Sequence, residues 1–154
     1  LVVLHALSGT MPRPCGTIGL YHFAVLYQDR DRLGAATARL LRANYGVQGA
    51  ADHLVSEAVC LADPEGIGIE LYADRPRISW RDSQAELRMA TLPLDLKSLL
   101  RDGEAVEQNS EAMGARIGHI RLNVASIQNS IGFYATGLGM DLAMRYGRQA
   151  AFFS

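Results

Sequence analysis

Cysteine is scarce in this sequence. Among 154 residues there are two, Cys15 and Cys60. Neither lies in a CxxC pair, so a disulfide framework is excluded and a reducing, cytoplasmic setting is expected. An excess of one charge is also missing. Fifteen Lys and Arg stand against 16 Asp and Glu, a formal charge of −1. That balance argues against a basic surface for nucleic acid or for an anionic membrane. No apolar run approaches the roughly 18–20 residues that a membrane span needs. The opening, Leu1 to Leu7, is apolar but short and has no basic segment before it, so a signal peptide is not expected. Hydrophobic residues make up 49% and charged residues 20%, a composition that builds a core and does not suit a disordered tail. The start at Leu-Val-Val-Leu and the stop at Phe-Phe-Ser read as a piece of a longer protein.

The patterning predicts a mixed α+β order. Leu1 to His5 reads as the end of a strand, followed by a breaker-rich loop over 8–19. Leu20 to Tyr27 alternates, with Leu20, His22, Ala24 and Leu26 on one face and Tyr21, Phe23, Val25 and Tyr27 on the other. A helix is expected over 31–44. Leu33, Ala36, Thr37, Leu40 and Leu41 form its buried stripe, Asp29 or Asp31 caps it, and Gly46 ends it. A polar loop follows over 49–53. Strands are expected over 55–62 and 67–72, joined by the turn Asp63-Pro64-Glu65-Gly66. Residues 73–115 read as a connector containing one short helix over 93–100. The first pattern then recurs. A strand over 118–124 carries His119 near its start, and Ser126 caps a helix whose buried stripe is Ile127, Ile131, Tyr134 and Leu138. The chain ends before this second copy reaches its own last strand, so the repeat has one complete and one partial copy.

Three residues carry candidate chemistry. Glu70 lies mid-strand between Ile69 and Leu71, on the face of Gly68 and Tyr72. A lone glutamate there is more often a solvent-facing residue, because an unpaired buried charge costs several kcal/mol. His22 lies mid-strand among apolar residues, where a lone histidine is more often a satisfied core residue. An imidazole and a carboxylate in the first and last strands of one unit nevertheless suit a divalent transition metal. His53 lies in the polar loop, where it is either solvated or a proton donor and acceptor near neutral pH. Cys15 reads as a loop thiol and Cys60 as a small buried apolar residue.

Several segments together resemble the vicinal oxygen chelate superfamily of glyoxalases, bleomycin-resistance proteins and extradiol dioxygenases. They are Gly16 to Ala24, Gly49-Ala50-Ala51-Asp52-His53 with Val55 to Ala58, and Leu61 to Tyr72. With Pro93 to Leu96 and Ile117 to Ile120, they are most similar to two-domain catechol-2,3-dioxygenase proteins. The resemblance implies α+β modules of βαβββ type, as in the glyoxalase/bleomycin resistance/dihydroxybiphenyl dioxygenase fold. Residues 1–17 would end a preceding module, 18–75 form a complete one, 76–115 connect, and 116–154 begin the next. It implies a metal-dependent extradiol ring-cleaving dioxygenase acting on a catechol-like aromatic with O2. The metal would be Fe(II), with Mn(II) as the alternative, and homo-oligomers are allowed.

By the same resemblance His22 and Glu70 are metal ligands, the first histidine ligand lies upstream of Leu1, and His53 is catalytic. His5 lies near where a glyoxalase has its fourth ligand and is not assigned. Two positions depart from the pattern. Cys60 stands where this branch usually has tyrosine, which puts a supporting active-site hydroxyl in doubt, and Ile67-Gly68 replaces the usual residues after the turn. The other readings are a glyoxalase-type isomerase or lyase and a metal-free module that binds an aromatic or antibiotic ligand.

Overall fold

The computed structural model describes residues 2–11, 14, 16–104, 106 and 114–154. Cys15 therefore lies outside the described residues. The chain is mixed α+β and divides into two compact units, Leu1–Arg13 with Leu20–Arg121, and Pro14–Gly19 with Leu122–Ser154.

The first unit is built on a six-stranded sheet. Its strands are β1 (Gly19–Tyr27), β2 (Gly49–Asp52), β3 (Ser56–Ala62), β4 (Gly68–Asp74), β5 (Leu92–Pro93) and β6 (Arg116–Asn123). They lie in the order β5-β2-β3-β4-β1-β6. β1 and β4 are parallel, while β2–β3, β3–β4 and β2–β5 are antiparallel. The helices of this unit are α1 (Arg30–Arg42) and α2 (Leu96–Glu104).

α1 starts where expected, because the Asp29 carboxylate accepts the Arg32 N–H at 2.9 Å. It stops earlier than Gly46. Asn44 takes the left-handed conformation (φ 61°) that a C-terminal glycine would otherwise supply. Of the expected stripe, Leu33, Ala36 and Thr37 are buried, whereas Leu41 is exposed.

One core lies between the helices and the sheet. Leu33 and Ala36 of α1 and Leu99 of α2 pack on Val59, Leu61, Leu71 and Ala73. Fully burying a leucine contributes about 1.5–3 kcal/mol. The helices approach closely at Gly34 and Gly103. A Cβ on Gly34 would sit 2.2 Å from the Leu99 carbonyl oxygen, so Gly34→Ala would force the helices apart. The strand pairing is Ala24↔Glu70↔Cys60 and Leu26↔Tyr72↔Ala58. Since paired residues project to the same side, His22, Ala24, Leu26, Glu70, Tyr72, Ala58 and Cys60 share the opposite face. Ala24, Leu26, Ala58 and Tyr72 form a second buried cluster there.

Three expectations need correction. Residues 49–52 are strand β2 and not a loop, because β3 and β5 supply backbone partners on both edges. Val2 to His5 carries no strand; a strand exists only where a neighbour accepts its backbone hydrogen bonds, and none is seen there among the described residues. The connector helix begins at Leu96, since the residues before it pair as β5. The turn at 63–66 forms as expected, with the Gly66 N–H donating to the Asp63 carbonyl at 3.0 Å.

The second unit contains α3 (Ile127–Ile131), a π turn over Gly132–Gly137, and the hairpin β7 (Leu142–Tyr146) and β8 (Ala150–Phe153). Ser126 caps α3 through the Asn129 N–H at 3.3 Å. The expected buried stripe is absent: no residue of α3 is buried and Leu138 is exposed. No helix among the described residues is long and apolar enough to cross a membrane.

Candidate metal centre

Alternation on β1, β4 and β6 brings three ligand-type side chains to one place. His22 and Glu70 lie on adjacent strands, offset by two residues, because His22 pairs with Gly68 and Ala24 with Glu70. Gly68 has no side chain for a reason visible in the packing: a Cβ there would lie 2.6 Å from the Tyr21 carbonyl and 3.0 Å from the His22 Cβ. β6 flanks β1 on the other side and contributes His119.

The His22 Nε2 lies 3.1 Å from the His119 Nε2 and 4.0 Å from Glu70 Oε2; His119 Nε2 lies 3.6 Å from Glu70 Oε1. All three offer atoms within 4.8 Å of one another. Two atoms each about 2.1 Å from one ion stand about 3.0 Å apart at a right angle and about 3.4 Å apart at a tetrahedral angle. The imidazole pair at 3.1 Å lies within that range, while the carboxylate oxygens, at 3.6 and 4.0 Å, would have to close in on an ion held by all three groups. Two imidazoles and one carboxylate are the set that leaves open positions on a non-haem metal.

The site is closed at its base and open on one side. Side-chain exposures are 9% for His22 and 14% for Glu70 but 44% for His119. Burial holds the His22 imidazole below its ordinary pKa; Glu70 pulls the other way, while His119 and Arg121 add to the lowering. At neutral pH this favours the neutral imidazole, whose lone pair is the metal-binding form. His119 is seated by Tyr72, whose ring centroid lies 5.2 Å from that of His119. Tyr72 covers Gly118 so closely that a Cβ there would lie 2.0 Å from the phenolic oxygen. Burial raises the Tyr72 phenol, with Asp74 and Glu70 adding to the effect.

Cys60 is half-buried and directly opposite Glu70, on the face that also carries His22. Burial and the Glu70 charge raise its thiol pKa, against Arg121, so it is protonated at neutral pH. It is thus a polar neighbour of the carboxylate, and not the enclosed apolar residue expected from the sequence.

His53 stands apart from the cluster. It follows β2, and its N–H donates to the Ser56 carbonyl at 2.8 Å. Ser56 pairs with Asp74, four residues beyond Glu70, which is about 13 Å along the strand. Continued alternation places His53 on the face of Ala51 and Ala58. Its Nδ1 lies 2.9 Å from the Ala90 carbonyl. A carbonyl only accepts, so Nδ1 carries a proton, and in the neutral ring Nε2 keeps its lone pair.

The sequence singles out His22 and Glu70 and presents His119 only as the mark of a repeated strand. The signal that could have found it is the repeat itself, since a second strand opening with histidine can pair with the first.

No family model matches the chain, and no solved structure matches it. In sequence, 136 residues, or 88% of the chain, are 43% identical to a catechol-2,3-dioxygenase of Bacillus subtilis (strain 168). They cover 47% of that protein. The chain therefore spans about half the length of the curated relative it matches, and over that half it is similar to a catechol-2,3-dioxygenase.

Proposed function

We propose that this chain carries the metal site of an extradiol ring-cleaving dioxygenase for catechol-like aromatics. The observation that carries the reading is the convergence of His22, Glu70 and His119, whose ligand-type atoms lie within 4.8 Å of one another on one face of the sheet. The similarity to a catechol-2,3-dioxygenase supports the choice of reaction. His22, Glu70 and His119 would hold Fe(II), with Mn(II) the alternative, and such a metal supplies the electron-transfer chemistry that lets O2 react with an aromatic diol. His119 takes the place that the resemblance gave to a histidine upstream of Leu1. In the same reading 18–75 form one βαβββ module, joined through 76–115 to the start of another at 116.

The protein's own groups then have distinct tasks. The carboxylate of Glu70 would balance the charge of the metal, and the two imidazoles would supply neutral nitrogen donors beside it. Tyr72 and Gly118 hold the His119 ring. His53, with a free Nε2 at the rim, accepts or returns a proton at the far edge of the aromatic ligand. That task requires the ligand to extend from the cluster towards β2.

A glyoxalase-type reaction would need a fourth protein ligand, and no fourth ligand-type residue joins the cluster among the described residues. A metal-free binding module gives no reason for two imidazoles and a carboxylate to converge. The test is anaerobic loading with Fe(II) or Mn(II), followed by catechol and O2. Stoichiometric oxygen uptake with a yellow ring-cleaved product supports the proposal; a loaded protein that binds catechol without consuming O2 contradicts it.

A further inference from the structure

The segment that carries His53 is the tight hairpin turn that follows the last β2–β3 pair, Asp52↔Glu57, with Leu54 and Val55 at its tip and the His53 N–H donating to the Ser56 carbonyl at 2.8 Å. The first tip residue, Leu54, has φ 66°. Tight hairpin turns favour positive φ at this position, which glycine, asparagine or aspartate ordinarily supplies. A leucine there is strained, and such strain persists only where neighbours over-determine it.

Asp52 is the first of those neighbours: its Oδ1 accepts the Leu54 N–H at 2.8 Å. The same carboxylate is gripped by the Arg75 guanidinium, at 3.3 Å to Oδ1 and 2.8 Å to Oδ2. Arg75 is itself fixed. Its Nη2 donates to Glu57 at 2.6 Å, its N–H to the Val55 carbonyl at 2.8 Å, and its carbonyl accepts the Trp80 indole N–H at 2.8 Å. From the connector, the Ala90 N–H donates to the His53 carbonyl at 3.3 Å while the Ala90 carbonyl takes the ring Nδ1.

We propose that Asp52 and Arg75 are positioning residues for His53: their ion pair locks the Leu54 hairpin, and the locked hairpin presents the His53 ring to Ala90 in the Nδ1–H form with Nε2 free. The catalytic consequence rests on the reading of His53 as the proton-transfer group, but the positioning itself does not.

The experiment measures the His53 ring nitrogens by long-range proton–nitrogen NMR, beside kcat and KM for catechol, in four proteins. In the parent, Nδ1 should be protonated and Nε2 bare. Asp52→Ala should produce a mixture of tautomers and lower kcat by about tenfold or more, with KM changed less, as expected for a displaced group. Asp52→Asn keeps an acceptor for the Leu54 N–H and should fall between the two. Adding Leu54→Gly to Asp52→Ala should restore the single tautomer, because glycine takes positive φ without the carboxylate. A single Nδ1–H tautomer in folded Asp52→Ala, or no recovery in the double variant, overturns the proposal. If the tautomers respond as stated but catechol is never cleaved, the positioning stands and the dioxygenase reading falls.

Discussion

The two faces of the six-stranded sheet each hold a cluster of ionisable side chains, and the clusters are organised by opposite rules. On the helix-covered face, Glu57 receives Arg30 Nε at 2.6 Å and Arg75 Nη2 at 2.6 Å; Arg75 continues to Asp52, and Arg30 to Asp102. Acid and base alternate, so the buried Glu57 carboxylate has two opposite partners. That arrangement is what low-dielectric packing demands. On the other face, His22, Glu70 and His119 converge with two imidazoles around one carboxylate. The imidazole Nε2 atoms stand against each other at 3.1 Å, although two lone pairs repel and only a shared proton or a cation reconciles them. Alternating charge reads as architecture; three converging ligand-type groups read as a binding site.

Substitutions can break that contrast. The largest effect is expected at the proposed ligands. Glu70→Gln and His22→Ala should each lower Fe(II) affinity more than about 100-fold, beyond what outer-shell partners of a metal site cost, with the fold retained by circular dichroism. His53→Ala should leave iron content unchanged while turnover falls on the order of 10²–10⁴-fold, the usual contribution of a positioned proton-transfer group. Iron analysis beside oxygen uptake distinguishes the two patterns, and loss of iron from the His53 variant would invert the assignment. Gly118→Ala should displace Tyr72 and tilt His119, lowering metal affinity by about 10–100-fold, measured by competition with a chelator. On the opposite face, Arg30→Ala should cost about 1–3 kcal/mol of stability in urea unfolding, because Glu57 loses one of two charged partners. Its metal affinity should not change. Loss of metal there would mean the two clusters are one system.

Much of the first unit is legible in the amino-acid pattern alone. The alternation Leu20-His22-Ala24-Leu26 puts His22 on a definite face, and Glu70 between Ile69 and Leu71 faces the same way as Tyr72. Asp29 and the Leu33-Ala36-Thr37 stripe mark α1. These signals are local. What the pattern does not reveal depends on partners distant in sequence. Gly49-Ala50-Ala51-Asp52 has no β-branched residue, so only pairing with β3 and β5 makes it a strand. The stripe expected in α3 requires a surface to bury it, and no residue of α3 is buried. The Arg30–Glu57–Arg75–Asp52 chain draws on four separate segments, and no spacing announces it. His119 joins His22 across 97 positions; the repeat shows that the strands are alike but not that they lie side by side.

The claim on which everything else depends is that His119 is the third member of one metal site. The direct measurement is a titration of the protein and its His119→Ala variant with Fe(II) under anaerobic conditions, following bound metal per chain. One ion per chain is expected in the parent, and loss of stoichiometric binding in the variant. One tightly held ion per chain in both proteins would contradict it, and would place the missing ligand elsewhere.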